Sequence, residues 1–148
     1  MFNNPKTISP RPLGCLNAAM RDLDLDAARV CEMIDVGQLI AFNIAVKTSG
    51  RPALRILTRS IEHCQASGSK KPLVLVWPEI FRLILPHEKP FLRGLEIQRG
   101  LNCDRGHVEN LILAGLLGMV NKRSRPGPGG SPIIASSSLE NFLIGRLQ

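Results

Sequence analysis

The chain has little aromatic surface. Its 148 residues include no tyrosine, one tryptophan and five phenylalanines. Proteins that bind unpaired RNA or single-stranded DNA stack the exposed bases on aromatic rings. This composition therefore disfavours a role in RNA binding.

Long apolar runs are also missing from the sequence. No run approaches the roughly 20 apolar residues that span a bilayer as a helix, and the N-terminal sequence MFNNPKTISPRP lacks the apolar core of a signal peptide. We therefore expect a cytoplasmic protein that does not interact with a membrane.

The four cysteines, Cys15, Cys31, Cys64 and Cys103, form no CxxC pair. A zinc ion on Cys64, His63 and a distant cysteine is conceivable. Structural zinc, however, normally takes four ligands in closely spaced pairs, and isolated cysteines are usually small buried apolar residues. We predict that the chain has no metal ligands.

Sequence motifs for catalysis are absent as well. RPGPGG is rich in glycine but no lysine follows it, and the chain has neither G-x-S-x-G nor a pair of histidines at helical spacing. These absences predict a protein that is not an enzyme and that needs no cofactor.

Positive charge is abundant. The formal net charge is +7 and the isoelectric point is about 9.8, which favours a polyanionic partner such as nucleic acid. Residues 21–65 are balanced in charge, whereas residues 91–148 carry seven basic against four acidic side chains. The second half is thus the better candidate for contact with phosphate.

The sequence repeats itself at a spacing of 78 residues. Without any gap, residues 21–65 align with residues 99–143. Eleven of the 45 columns are identical, where background residue usage would give roughly three. This pattern indicates an internal duplication.

Each copy carries the signals of a short helix that is capped at both ends. Asp26 and Asp104 are predicted N-cap residues, whose carboxylates can accept the free amides of a first turn. Apolar residues follow at the spacing of one helical face. Gly37 and Gly115 then stand where a helix can end in the left-handed conformation.

The flanking segments extend this pattern in both copies. An apolar segment before each cap, CLNAAMRDL or LEIQRGL, predicts a first helix with a tight turn around Asp24 or Asn102. The segments after each glycine predict a β-hairpin, and Ser60 and Ser138 are predicted to cap a closing helix. Each copy is therefore expected to contain two short helices, a hairpin and a third helix.

Both copies resemble the winged helix-turn-helix modules of the MerR-like and phage excisionase-like superfamily. The matching stretches are VGQLIAFN, ALRIL and SIEHC in the first copy, and AGLLGMVN, PIIAS and SLENFLI in the second. The resemblance implies a mainly α fold with small β-hairpins (α+β), built from tandem winged helix-turn-helix modules. The second copy departs from the pattern, since Ile133 replaces Arg55 and its hairpin tip is rich in proline and glycine.

The resemblance also implies a surface that reads DNA. In such modules the N-terminal part of the second helix enters the major groove, and the wing contacts the backbone or the minor groove. The implied reading residues of the second copy are Arg105, Gly106, His107, Glu109 and Asn110. Its wing would offer Lys122, Arg123 and Arg125 to phosphate. The implied contacts of the first copy are Arg29 on the helix and Lys47, Arg51 and Arg55 in the wing.

Four segments follow from these patterns: a flexible N-terminus (1–12), a first module (13–70), a connecting hydrophobic segment (71–90) and a second module (91–148). The connecting segment has apolar side chains at helical spacing from Trp77 to Leu85, although its LVLVW run also suits a buried strand. We expect this segment to form core or an interface between the modules. Contact with a second copy or a protein partner through residues 73–90 is the alternative.

The sequence thus favours a non-enzymatic protein that binds double-stranded DNA. It would act as a transcriptional regulator or as an accessory factor of a mobile element. The competing hypothesis is an adaptor in which one or both modules bind protein, because the first copy is neutral and its helix offers few groups that read bases.

Overall fold

A computed structural model describes residues 11–67, 73–86, 88–120 and 132–148 of the chain. Within these residues the protein forms seven helices and two small antiparallel sheets, so the predicted mixed class of helices and small sheets is confirmed. None of the described helices is both long enough and apolar enough to cross a membrane.

The first unit, residues 13–67, contains three strands and three helices. Its elements are β1 (Leu13–Cys15), α1 (Leu16–Leu23), α2 (Ala27–Asp35), β2 (Ala41–Asn43), β3 (Leu54–Leu57) and α3 (Thr58–Ser67). The strands form one antiparallel sheet in the order β1-β3-β2. The hairpin between β2 and β3 therefore lies at one side of the sheet.

A connecting helix, α4 (Trp77–Ile84), leads to the second unit, residues 91–148. The elements of the second unit are β4 (Phe91–Arg93), α5 (Gly94–Leu101), α6 (Arg105–Leu113), β5 (Ile133–Ala135) and α7 (Ser136–Arg146). Strands β4 and β5 pair antiparallel, and an isolated bridge joins Met119 to Ile134.

The two units match element by element at the spacing of 78 residues seen in the sequence. The bounds of β1, α1 and α2 become those of β4, α5 and α6 when this number is added. Strand register is also the same, since Leu13 pairs with Leu57 and Phe91 with Ala135.

The turns that join the paired helices are equivalent too. Asp24 and Asn102 end α1 and α5 in the left-handed conformation, with φ of 55° and 54°. The short polar side chains of Asp and Asn tolerate this conformation better than most residues. The predicted tight turns around these residues are therefore confirmed.

Capping fixes the start and the end of the second helix in each unit. The carboxylates of Asp26 and Asp104 each accept a backbone amide three residues ahead, at 2.8 Å in both units. Gly37 and Gly115 follow the helices with φ of 82° and 78°, which glycine adopts without a steric penalty. These predicted caps are confirmed.

The prediction that Ser60 and Ser138 are N-caps is wrong. Helices α3 and α7 begin two residues earlier, at Thr58 and Ser136, so each serine lies within the first turn. The hydroxyl of Ser60 accepts the Ile40 amide at 3.2 Å, and that of Ser138 accepts the Gly118 amide at 2.9 Å. In each unit the serine therefore joins the closing helix to the residue that donates to it, Ile40 or Gly118.

Two hydrophobic clusters form the core. One belongs to the first unit alone and contains Ala19, Val30, Met33, Ile34, Leu39, Ala41, Ile56, Ile61 and Cys64. The other is continuous from Leu13, Phe42, Ile44 and Leu57 of the first unit, through Ile80 and Ile84 of α4, to ten buried residues of the second unit. The two units therefore share one core.

Helix α4 lies in that shared core, as predicted for the connecting segment. The Trp77 indole donates to the Glu140 carboxylate at 2.7 Å and meets the Phe42 ring edge-on, with the ring centroids 6.1 Å apart. The alternative of a buried strand in LVLVW is wrong, because residues 73–76 form no strand and the Val74 side chain is 84% exposed.

Candidate nucleic-acid interface

The helix pair α5–α6 of the second unit presents a polar N-terminal face. Val108 and Leu111 of α6 are buried, as their apolar spacing predicts. Arg105, Gly106 and Asn110 lie on the exposed side of the same helix. The first turn of a helix carries a partial positive charge, to which the Arg105 side chain adds, while the Asp104 carboxylate caps one amide of this turn.

Two of the predicted reading residues, His107 and Glu109, are only half-exposed. The His107 Nε2 atom lies 2.6 Å from the backbone carbonyl oxygen of Ile44, in the first unit. A carbonyl can only accept, so Nε2 carries the proton of this hydrogen bond. His107 thus ties the start of α6 to the hairpin of the first unit.

A second tie comes from the C-terminal end of α7. The Arg146 guanidinium donates to the backbone carbonyls of Asn43, Ala45 and Val46, and it lies over the Phe142 ring, 5.0 Å from its centroid. The side chain is buried, with 9% of the residue exposed. Satisfied hydrogen bonds are what make such a buried charge tolerable.

The end of the chain also joins the sheet of the first unit. Leu147 forms an antiparallel bridge with Phe42, and the Gln148 amide donates to the Ala41 carbonyl at 2.9 Å. These contacts cover the outer edge of β2, which would otherwise offer unpaired backbone groups. Sequence reasoning assigned no role to Arg146 or Gln148, and no local motif marks either residue.

Arg55 forms a third contact between the units, in which a side chain of the first unit binds backbone atoms of the second. Its Nε donates to the carbonyls of Leu101 and Asn102 at 3.2 and 3.0 Å, at the C-terminal end of α5. A cation at this end satisfies carbonyls that have no partner within the helix, and it also opposes the negative end of the helix dipole. The side chain of this predicted wing residue is therefore hydrogen-bonded to the second unit, and it is half-buried.

The hairpin of the first unit is held at its base and exposed at its tip. The Asn43 side-chain oxygen accepts the amides of Ala45 and Ala53 at 3.1 and 3.0 Å, which closes the loop between β2 and β3. Lys47 and Arg51 lie in this loop and are exposed. His107 binds the Ile44 carbonyl and Arg146 binds those of Ala45 and Val46, so the start of this loop is held against the second unit.

Of the remaining predicted DNA contacts, one is exposed on the first unit and three fall outside the described residues. Arg29 is exposed on α2, where its guanidinium pairs with Glu32 at 3.0 Å. Lys122, Arg123 and Arg125 lie outside the described residues. Among the predicted residues of α6, His107 contacts the first hairpin, whereas Arg105, Gly106 and Asn110 lie on the exposed side of the same helix. Arg29 lies on the separate helix α2.

Cys103 occupies the turn between α5 and α6. Burial raises the pKa of its thiol to about 11, and the nearby Arg55 opposes this shift only in part. A thiol with such a pKa stays neutral at physiological pH and is a poor nucleophile. Within the described residues, no group of three or more His, Cys, Asp or Glu side chains is arranged to hold a metal ion.

A comparison of the chain with protein-family models, with curated proteins and with solved structures finds no match.

Proposed function

We propose that the protein binds double-stranded DNA through the N-terminal face of α6 and the neighbouring hairpin of the first unit. The observation that carries the proposal is the exposed start of α6, where Arg105 and Gly106 follow a tight turn between two helices and the Asp104 carboxylate caps the His107 amide. A short helix presented in this way fits the major groove.

Charge and side-chain chemistry agree with this assignment. Arg105 suits guanine or phosphate, and Asn110 suits adenine. Lys47 and Arg51 on the first hairpin suit phosphate, which contributes affinity without regard to sequence. We further propose that Lys122, Arg123 and Arg125, which lie outside the described residues, contact phosphate as well.

The hydrogen bonds between the units affect how the two modules would bind DNA. Linked modules usually gain affinity through the effective concentration that a flexible linker sets. Here His107, Arg146 and Arg55 hold the units in one arrangement, so the start of α6 and the first hairpin would meet DNA together. We assign His107 and Arg55 to this arrangement, and not to base or phosphate contact.

A gel-shift titration with a mixed-sequence duplex tests the proposal. We expect binding at about 50 mM salt that weakens steeply towards about 200 mM, because each neutralised phosphate releases counterions. The double variant Arg105→Ala/Arg123→Ala should lose more affinity than Arg29→Ala/Arg51→Ala. Absence of binding at low salt would refute DNA binding. Equal losses of affinity in the two double variants would refute the expectation that the second unit contributes more to DNA binding than the first.

The biological role we propose is regulation of transcription or accessory action for a mobile element. An adaptor function is the second candidate, because Val74 and Leu113 are 84% and 82% exposed and offer apolar surface to a protein. Light scattering separates the two. A strict monomer that binds duplex DNA would leave the adaptor without support.

A further inference from the structure

An open cleft lies where the first unit, the end of α4 and one side of α5 meet. Its volume is about 1010 Å³. Arg11 and residues 57–59 line one wall and residues 83–86 the second, and the third is lined by Arg93, Leu95, Glu96, Arg99 and Gly100. Arg105, Lys47 and Arg51 do not line the cleft, although Leu95 also lines a smaller pocket that includes Arg105.

The walls of the cleft carry an excess of positive charge. Its basic side chains are Arg11, Arg59, Lys89, Arg93 and Arg99, and its acidic side chains are Glu62 and Glu96. The Glu96 carboxylate accepts the Arg93 backbone amide and pairs with Lys89, each at 3.1 Å. Five basic and two acidic side chains thus line the cleft, a formal excess of three positive charges.

The same cleft is also apolar over much of its surface. Its apolar lining includes Pro12, Leu57, Leu83, Ile84, Leu85 and Leu95. Leu95 is 53% exposed, although a leucine in the first turn of a helix gains nothing from contact with water. A ligand that covers Leu95 would remove this surface from solvent.

The repeat shows that the fold does not require these features. At the positions equivalent to Arg93 and Leu95, the first unit has Cys15 and Asn17. Gly100 brings α5 against the end of α4, since a Cβ atom there would lie 3.4 Å from the Ile84 carbonyl oxygen. The first unit has Asp22 at the position of Gly100.

We infer that the cleft binds a small organic anion with an apolar body, of the class of aromatic or fatty carboxylates, sulfonates and phosphate esters. Pockets for such ligands commonly measure about 300–1,000 Å³ and combine an apolar lining with a few placed polar groups. The arginines would hold the anionic group, since guanidinium matches carboxylate and phosphate geometry. Leu95 and the leucines at the end of α4 would cover the apolar body.

The probe for this inference is 8-anilinonaphthalene-1-sulfonate, an aromatic anion that fluoresces in apolar surroundings. Its uncharged counterpart is N-phenyl-1-naphthylamine. The full chain should bind the sulfonate more tightly than the amine. In Arg59→Ala/Arg99→Ala, sulfonate affinity should fall by about tenfold or more, which corresponds to about 1.4 kcal/mol, while amine affinity changes little. Leu95→Asp should weaken both probes.

The repeat supplies a matched control for the cleft. Arg21 occupies the position in the first unit that Arg99 occupies in the second, is exposed on α1 and lies outside the cleft. Arg21→Ala removes the same charge and should leave both affinities unchanged. Equal losses in Arg21→Ala and Arg99→Ala would overturn the inference, because the probe would then report only net charge.

Competition distinguishes the occupants. Decanoate should displace the sulfonate probe, and inorganic phosphate at the same concentration should not, because the apolar body is part of the recognition. Displacement by phosphate alone, by a mixed-sequence duplex or only by an acidic peptide would overturn the inference. The result does not depend on whether the protein binds DNA, since the probe titration contains none.

Discussion

Replacement of Arg146 by alanine is the sharpest perturbation of the contact between the units. The guanidinium of this buried residue donates to three backbone carbonyls of the first unit. Hydrogen bonds from charged groups contribute about 1.5–3 kcal/mol each, but their contributions are not additive, and water reaches part of the space left by truncation. We therefore expect Arg146→Ala to lower the free energy of unfolding by about 3–5 kcal/mol.

Urea unfolding followed by circular dichroism measures this loss. With a slope of about 2 kcal/mol per molar, the midpoint should fall by roughly 1.5–2.5 M while the slope stays constant. Arg146→Lys should recover only part of the loss, because a single ammonium cannot reproduce the spread donors of guanidinium. Arg82→Ala, at an exposed position, serves as the control and should change stability by less than about 0.5 kcal/mol.

Two results would refute the reasoning. A change below about 0.5 kcal/mol in Arg146→Ala would mean that its hydrogen bonds contribute no more than an exposed side chain does. Two separate transitions in the unaltered protein would mean that the units fold independently, whereas the shared core requires a single cooperative transition.

Two further predictions concern the α5–α6 turn. Burial raises the Cys103 pKa from 9.0 to about 11, so the stability gained from the neutral thiol is complete below pH 9 and is lost as the pH rises to 11. Cys103→Ala should therefore lose less stability than the unaltered protein across that range in urea titrations, and equal losses would contradict the assignment. Asp104→Ala should cost about 1 kcal/mol in the same assay, and Asp104→Asn should restore most of it because asparagine also caps helices; an alanine variant as stable as the original would exclude a capping role.

Local signals predicted much of each unit correctly. Some features depend on backbone geometry that one or two residues determine. They are the caps at Asp26 and Asp104, the turns at Asp24 and Asn102, and the glycines that end the second helix of each unit, Gly37 and Gly115. Such features can be read from a sequence because the residue and its conformation are linked directly. Each of these features also occurs in both copies at the spacing of 78 residues, so each copy supports the assignment made in the other.

Features that depend on distant contacts were missed or misplaced. Strands β1 and β4 have three residues each, too few for a period of two to show. A serine before an apolar run predicts a cap at Ser60, and this pattern does not reveal that its hydroxyl accepts the Ile40 amide. The hydrogen bonds of Arg55 and His107 to the other unit could not be predicted, because a single module, considered alone, leaves both side chains on its surface.

The salt dependence of duplex binding tests the central claim most directly. Fluorescence anisotropy with a labelled mixed-sequence duplex should give a linear decrease of log affinity with log salt for the unaltered protein. Arg105→Ala should reduce the slope by about one if Arg105 contacts phosphate, or weaken binding with the slope unchanged if it contacts a base. Arg21→Ala should alter neither quantity. No binding at low salt, or identical behaviour of the Arg105 and Arg21 variants, would contradict the proposed DNA surface.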